Sequence, residues 1–202
     1  MTARIVLFDL GNVVVDWQPI RLYRDYFATE EDARHFLDTV CNMAWHVAHD
    51  RGVPMAENAK PLIAKYPHYE EQILAWRTRW LDMFYGYVPG VAPLMARLEE
   101  RSVPLYGLSN IPDEVAELTF DRFPMIRILR DVVVSGAEGV VKPDPRIFEI
   151  ALNRMDQADP ADVFFIDDSL RNIEAAQQLG FRTHHFHDAV ALEQALKAEN
   201  LL

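Results

Sequence analysis

The sequence predicts an α/β protein: a Rossmann-like parallel sheet with helices on both faces and an all-helical cap insert. Three observations carry that prediction. Short, continuous apolar runs recur and each ends in polar residues; segments with helical apolar spacing alternate with them; and one long early stretch carries helical spacing alone. A continuous apolar run marks a strand buried on both faces, and alternation of strand with helix is the signature of a parallel sheet.

The first run, Ile5-Val6-Leu7-Phe8, reads as a strand and stops at Asp9. From about Trp17 to Tyr87 only helical spacing follows: Tyr23, Tyr26 and Phe27, then Ala33, Phe36, Leu37 and Val40 behind a Thr29-to-Asp32 capping pattern, then Ile73, Trp76 and Trp80. Pro89-Gly90 closes this insert, so residues 17–87 are expected to form a helical cap domain on a catalytic core made of residues 1–16 and 88–202. Trp45, Trp76 and Trp80 lie inside it and are read as the cap's own core. Val91, Leu94, Met95 and Leu98 then mark a helix, Val103 to Leu108 a strand before Ser109, and Val132 to Val134 a strand before Ser135. Phe148, Ala151, Leu152 and Met155 mark the next helix, and Val163 to Ile166 a strand before Asp167 and Asp168. Ile173, Ala176 and Leu179 mark a further helix, with Gly180 placed to end it. In such sheets ligands bind at the carboxyl ends of the strands, which is where the polar residues sit.

Half of the 202 residues are hydrophobic and a quarter charged, a composition that supports a packed core and excludes wholesale disorder. Twenty basic against 31 acidic side chains leave a net charge of −11, which repels a phosphate backbone and argues against a nucleic-acid partner. An acidic protein that handles anions needs a local cation. Cys41 stands alone, so an intramolecular disulfide and a cysteine-based zinc cluster are excluded and a reducing compartment is the natural setting. Asp9 interrupts the first apolar run, no small-residue cleavage site follows a long hydrophobic region, and no stretch approaches the roughly 20 apolar residues of a bilayer span. A cytoplasmic protein without membrane contact is expected, as a monomer or homodimer.

Asp9 ends a buried strand and is followed at Gly11 by a residue that permits close approach, so it suits a carboxylate nucleophile; it equally suits a strand-end cap. Asp167 and Asp168 are two adjacent carboxylates at another strand end. They are costly together unless a cation neutralises them, and Mg2+ prefers such oxygen ligands; a solvated acidic turn is the plainer alternative. Lys142, held before Pro143-Asp144-Pro145, can balance a bound phosphate or serve as an ordinary surface lysine. Ser109 and Asn110 can offer a hydroxyl, an amide and backbone N–H groups to phosphate oxygens, or simply form a turn.

Together, Phe8-Asp9-Leu10-Gly11-Asn12-Val13-Val14-Val15-Asp16, Leu108-Ser109-Asn110, Lys142-Pro143-Asp144-Pro145-Arg146-Ile147-Phe148, and Phe165-Ile166-Asp167-Asp168 with Asn172 resemble the four ordered motifs of the haloacid dehalogenase-like (HAD) hydrolase superfamily. The position of the insert resembles the small helical cap class, and the Asp-Leu-Gly-Asn opening is most similar to bacterial phosphatases of glucose 1-phosphate and other sugar phosphates. The resemblance implies a magnesium-dependent phosphatase of a small phosphorylated metabolite such as a hexose 1-phosphate. It makes Asp9 the nucleophile that forms an aspartyl-phosphate, with Mg2+ held by Asp9, the Gly11 carbonyl and Asp168, and with Asp167 close by as a ligand through water or directly. Ser109, Asn110 and Lys142 are then expected to cradle the phosphoryl group, and Asn172 to orient Asp167 or Asp168.

One departure stands out: such phosphatases carry a general-acid aspartate two residues after the nucleophile, and here that position is Gly11. Either the leaving group departs with less help, or His46, His49 or Asp50 substitutes from the cap, or activity is weak. Trp45, His46, His49, Asp50 and Arg51 form a polar cluster that could read the substrate, the plainer expectation being a solvated helix end. His184, His185 and His187 invite a metal reading, but alternation along a terminal strand splits them between faces. Two rival functions remain: a 2-haloacid dehalogenase, whose chemistry leaves the Asp167-Asp168 pair without a cation, and a catalytically weak protein that binds a phosphorylated ligand.

Overall fold

The computed structural model describes residues 3–202. Its elements follow in the order β1 (Ile5–Phe8), β2 (Val15–Trp17), α1 (Ile20–Tyr23), α2 (Glu30–Thr39), α3 (Met43–Asp50), α4 (Met55–Lys65), α5 (Glu70–Thr78), β3 (Phe84–Tyr87), α6 (Val91–Glu100), β4 (Leu105–Ser109) and α7 (Asp113–Arg122). Then come β5 (Val132–Val134), α8 (Ser135–Glu138), α9 (Pro145–Arg154), β6 (Val163–Asp167), α10 (Leu170–Gln178), β7 (Arg182–His185) and α11 (Ala189–Ala198).

Five strands form one parallel sheet in the order β5-β4-β1-β6-β7. This is the Rossmann-like α/β architecture the sequence predicts. The apolar runs are buried on both faces. Val6 and Phe8 of β1, with Phe164 and Ile166 of β6, pack among residues of α6, α7 and α11. Leu7 and Phe165 point the other way, into a second cluster with Ile147 and Phe148 of α9 and Ile173 and Ala176 of α10. The alternation of side chains across a strand places neighbours in different clusters, which is why these runs show no polar face.

Between β2 and β3 the chain is helical, and Thr29 caps α2 as the sequence suggests, its hydroxyl accepting from the Asp32 N–H at 3.1 Å. Tyr23, Phe36 and Trp76 from this segment belong to the same hydrophobic cluster as Val6 and Phe8 of the sheet. The expectation of helical spacing alone as far as Tyr87 needs correction at its edges. Phe84–Tyr87 is a strand, paired antiparallel with β2 through Val15–Tyr87 and Trp17–Phe84. A four-residue strand whose partner lies some seventy positions away has no local pattern to announce it, and here three residues are half-buried and Tyr85 is exposed, so no buried face alternates with an open one. Among the described residues no helix is long and apolar enough to cross a membrane.

Candidate active site

β1, β4 and β6 lie side by side, with Phe8 in register with both Gly107 and Ile166. Their carboxyl ends therefore bring Asp9, Ser109, Asp167 and Asp168 to one place. Asp9 is fixed by its backbone N–H donating to the Ile166 carbonyl at 2.8 Å. Its Oδ1 accepts from the Leu10 N–H at 2.7 Å and lies 2.9 Å from Lys142 Nζ. Its Oδ2 has no hydrogen-bond partner among the described residues. After Asp9 the chain turns sharply: Val14 and Val15 both donate to the Leu10 carbonyl, and Asn12 takes a left-handed conformation with φ 58°. Asn12 relieves that turn through its side chain, Oδ1 accepting from the Trp17 N–H at 3.1 Å. The Gly11 carbonyl has no hydrogen-bond donor among the described residues.

Lys142 is buried, and its ammonium has three partners for three protons: Asp9 Oδ1 at 2.9 Å, Asp167 Oδ2 at 2.7 Å and the Leu108 carbonyl at 2.9 Å. Asn110 holds the lysine's backbone. Its Nδ2 donates to the Lys142 carbonyl at 3.1 Å and its Oδ1 accepts from the Lys142 N–H at 2.8 Å. The Asn110 amide and the Lys142 ammonium are engaged with protein, which leaves the Ser109 hydroxyl and the Asn110 backbone N–H as the donors open to an anion.

Asp167 is fully buried and fully engaged. Oδ1 accepts from the Ser169 N–H at 2.8 Å and from Asn172 Nδ2 at 2.9 Å; Oδ2 accepts from Lys142 Nζ at 2.7 Å and from Asn172 at 3.0 Å. Four hydrogen bonds from three donor groups occupy about four acceptor sites of a carboxylate. Asp168 is exposed, its backbone carbonyl 3.0 Å from His185 Nε2. Oxygens of Asp9, Asp167 and Asp168 all lie within 4.8 Å of one another.

This charge distribution is unbalanced, with three carboxylates against one ammonium. Burial pushes the Asp9 carboxyl well above the usual range, with Lys142 opposing and Asp167 and Asp168 adding to the rise. Burial and Asp167 likewise raise Asp168. For Lys142, burial works against the charged form but the Asp167 and Asp9 carboxylates prevail and raise it, so the ammonium is retained. A hard divalent cation between Asp9 and Asp168 suits such a donor set, since oxygen ligands are what Mg2+ takes and its charge offsets the excess.

Over the site, Leu10, Gly11, Val15, Trp17, Trp80 and Phe84 line much of a pocket of about 50 Å³ that also reaches Ser109 and Asn110. His46 of α3 lines the same pocket and stacks on Trp17, ring centroids 5.3 Å apart. The expected solvated helix end is not found: His46, His49 and Asp50 are buried while Arg51 alone of the polar group is exposed. His46 Nε2 lies 3.4 Å from Asp50 Oδ1, and His49 Nε2 is 2.9 Å from Asn58 Nδ2. Sequence reasoning had no signal for that burial, because the aromatic residues that enclose α3 come from β2, α5 and the segment after it. His184, His185 and His187 form no metal-capable group among the described residues.

A family model described as haloacid dehalogenase-like hydrolase matches residues 3–180. The chain is 24% identical over 194 residues to the sesquiterpene phosphatase astK of Aspergillus oryzae, an alignment covering 94% of this chain and 93% of that protein. It is also 24% identical over 203 residues to the glyceraldehyde 3-phosphate phosphatase of Pyrococcus abyssi, covering 91% of this chain and 81% of that protein. Among solved structures, a HAD family enzyme of Bacteroides thetaiotaomicron in complex with magnesium and inorganic phosphate superposes with a TM-score of 0.70 at 21% identity, over 92% of this chain and 95% of that one. At that identity the superposition speaks to the fold.

Proposed function

We propose that this chain, which belongs to the haloacid dehalogenase-like hydrolases, is a magnesium-dependent phosphatase acting on a small phosphate monoester. The observation that carries the reading is the pairing of a buried, lysine-held Asp9, one oxygen of which is free, with the open carboxylate of Asp168 within 4.8 Å. In this reading Asp9 Oδ2 attacks phosphorus, the bond from phosphorus to the alcohol oxygen breaks, and an aspartyl-phosphate forms. Water then attacks the same phosphorus, the bond to Asp9 breaks, and inorganic phosphate leaves with Asp9 restored. Lys142 keeps Asp9 aligned and favours its ionised form against burial, and Ser109 Oγ with the Asn110 N–H bind the phosphoryl oxygens.

Asp9, Asp168 and the Gly11 carbonyl are assigned as the groups that hold Mg2+, which when bound offsets the repulsion between an anionic nucleophile and an anionic ester. Asp167 is assigned a different task from the one its motif implies: with its acceptor sites filled, it fixes Lys142 instead of binding the ion directly. Residues 17–87 are assigned as a cap over a core of residues 1–16 and 88–202, and the lone buried Cys41 suits the reducing cytoplasm. The two phosphatase relatives favour phosphate as the group transferred while naming very different alcohols, so the hexose 1-phosphate suggested by the opening motif is one member of the test panel.

A haloacid dehalogenase uses the same kind of aspartate on carbon and has no use for a cation, which would leave the Asp168 carboxylate unbalanced. Phosphate release from a monoester panel, with and without Mg2+, and chloride release from a short 2-chloroacid separate the two. Magnesium-dependent phosphate release that disappears in Asp9→Asn is expected. Chloride release without phosphate release overturns the reading.

A further inference from the structure

We infer that the alcohol released at this site is aromatic, so that the substrate is an aryl phosphate monoester; this deepens the phosphatase reading and rests on it. Two independent observations lead there, one from the pocket walls and one from position 11.

The pocket shares Gly11, Ser109 and Asn110 with the phosphoryl end of the site, so the alcohol of a bound ester enters it. Its walls are Leu10, Val15, Trp17, Trp80, Phe84 and Ile111. The few polar groups there are either engaged with protein or buried out of reach. Thr119 Oγ1 donates to the Val115 carbonyl at 2.7 Å and accepts from Trp80 Nε1 at 2.9 Å. Asn110 spends its amide on Lys142, and Trp17 Nε1 and His46 Nδ1, though without a hydrogen-bond partner among the described residues, are buried with essentially no surface to offer a ligand. A polyol would leave its hydroxyls unpaired against these walls, whereas a flat ring gains stacking partners.

Position 11 points the same way through reactivity. A Cβ built on Gly11 meets nothing within 4 Å, and Gly11 is absent from the residues with left-handed backbone, so neither packing nor conformation demands glycine. A proton donor is missing from a place with room for one. General acids contribute roughly 10²–10⁴-fold to such steps, and that loss falls on alcohols that cannot leave as anions. A phenol, with an ordinary pKa of about 10, leaves without a proton. An anomeric hydroxyl shares some of that advantage, and the pocket walls decide between them.

Reactivity and pocket fit can be read separately. Inhibition constants of phenylphosphonate and methylphosphonate, which have no leaving oxygen, report the pocket alone. Phenylphosphonate is expected to bind about tenfold or more tightly in the native chain, and Phe84→Leu to shrink that ratio while inorganic phosphate inhibits as before. Gly11→Asp is expected to raise kcat/KM for butyl phosphate by a larger factor than for phenyl phosphate. Equal inhibition by the two phosphonates, a higher kcat/KM for glucose 1-phosphate than for phenyl phosphate, or an equal gain for both esters in Gly11→Asp overturns the aromatic assignment while phosphatase activity stands. Absence of magnesium-dependent phosphate release from every ester overturns the parent reading instead.

Discussion

At the scale of single residues the site depends on one buried cation. Lys142 Nζ joins Asp9 and Asp167 at 2.9 and 2.7 Å with its side chain 1% exposed, so Lys142→Met strands two carboxylates in the interior. Breaking a buried pair from one side costs about 3–5 kcal/mol. The loss is expected in denaturant unfolding at pH 8 and should narrow towards pH 4, where the buried Asp9 carboxyl, already raised, takes up a proton; a loss independent of pH would show that packing of the lysine stem, and not its charge, is what matters. Asn172→Ala removes the one amide nitrogen that donates to both Asp167 oxygens, at 2.9 and 3.0 Å, and no donor to Asp9, and is expected to lower kcat about 10- to 100-fold with little change in KM. Asp9, Lys142, Asp167 and Asp168 were legible in the sequence because each is a polar residue set against an apolar strand or a proline turn. What Asn110 does was not legible, since an amide that clamps a lysine backbone and one that faces a phosphate look the same in one dimension.

At the scale of an element, α3 carries an unusual load: His46, His49 and Asp50 are all buried on one short helix. Burial pushes the Asp50 carboxyl up to about 7 despite the opposing Lys142, and lowers His46 to about 3 and His49 to about 4. The signs differ. Between pH 4 and 6.5 the unfolded chain binds a proton on each histidine that the folded chain refuses, so these two make stability rise with pH. Across the interval from 3.8 to about 7, folded Asp50 holds a proton that the unfolded chain has released, so this group makes stability fall by about 1.4 kcal/mol per pH unit. Asp50→Asn is therefore expected to gain stability relative to the native chain progressively from pH 4 to pH 7, to a ceiling on the order of 4 kcal/mol, and no further above pH 7. Unfolding curves of the two chains that stay parallel over this range would show that Asp50 ionises normally when folded. A helix end at Trp45 to Arg51 was expected, but its burial was not, because the tryptophans that surround it arrive from distant segments. β3 escaped for the same reason: its pairing with β2 is a long-range fact.

At the scale of the whole molecule, the strand order β5-β4-β1-β6-β7 does what no local feature can. Apolar runs separated by most of the chain become neighbours, and the residues that end them become one acidic cluster. Alternation of strand and helix was enough to predict that convergence, because parallel strands joined by right-handed crossovers all finish on one side. The cost of gathering three carboxylates around one lysine is carried by the fold, so an ion that balances them should return stability to all of it. Insert and sheet share one hydrophobic cluster, which makes a single cooperative transition the expected readout. At a magnesium concentration a hundred times its dissociation constant, binding only to the folded chain adds about 2.7 kcal/mol. For a chain of this length that is a rise in Tm of roughly 5–10 °C. Asp168→Asn removes an exposed ligand without opening the core, and is expected to start from a native-like Tm and show little rise with Mg2+. If the native chain melts at the same temperature with and without millimolar Mg2+, the acidic cluster does not hold the ion in the way assigned to it; if Asp168→Asn responds as the native chain does, the ion sits elsewhere.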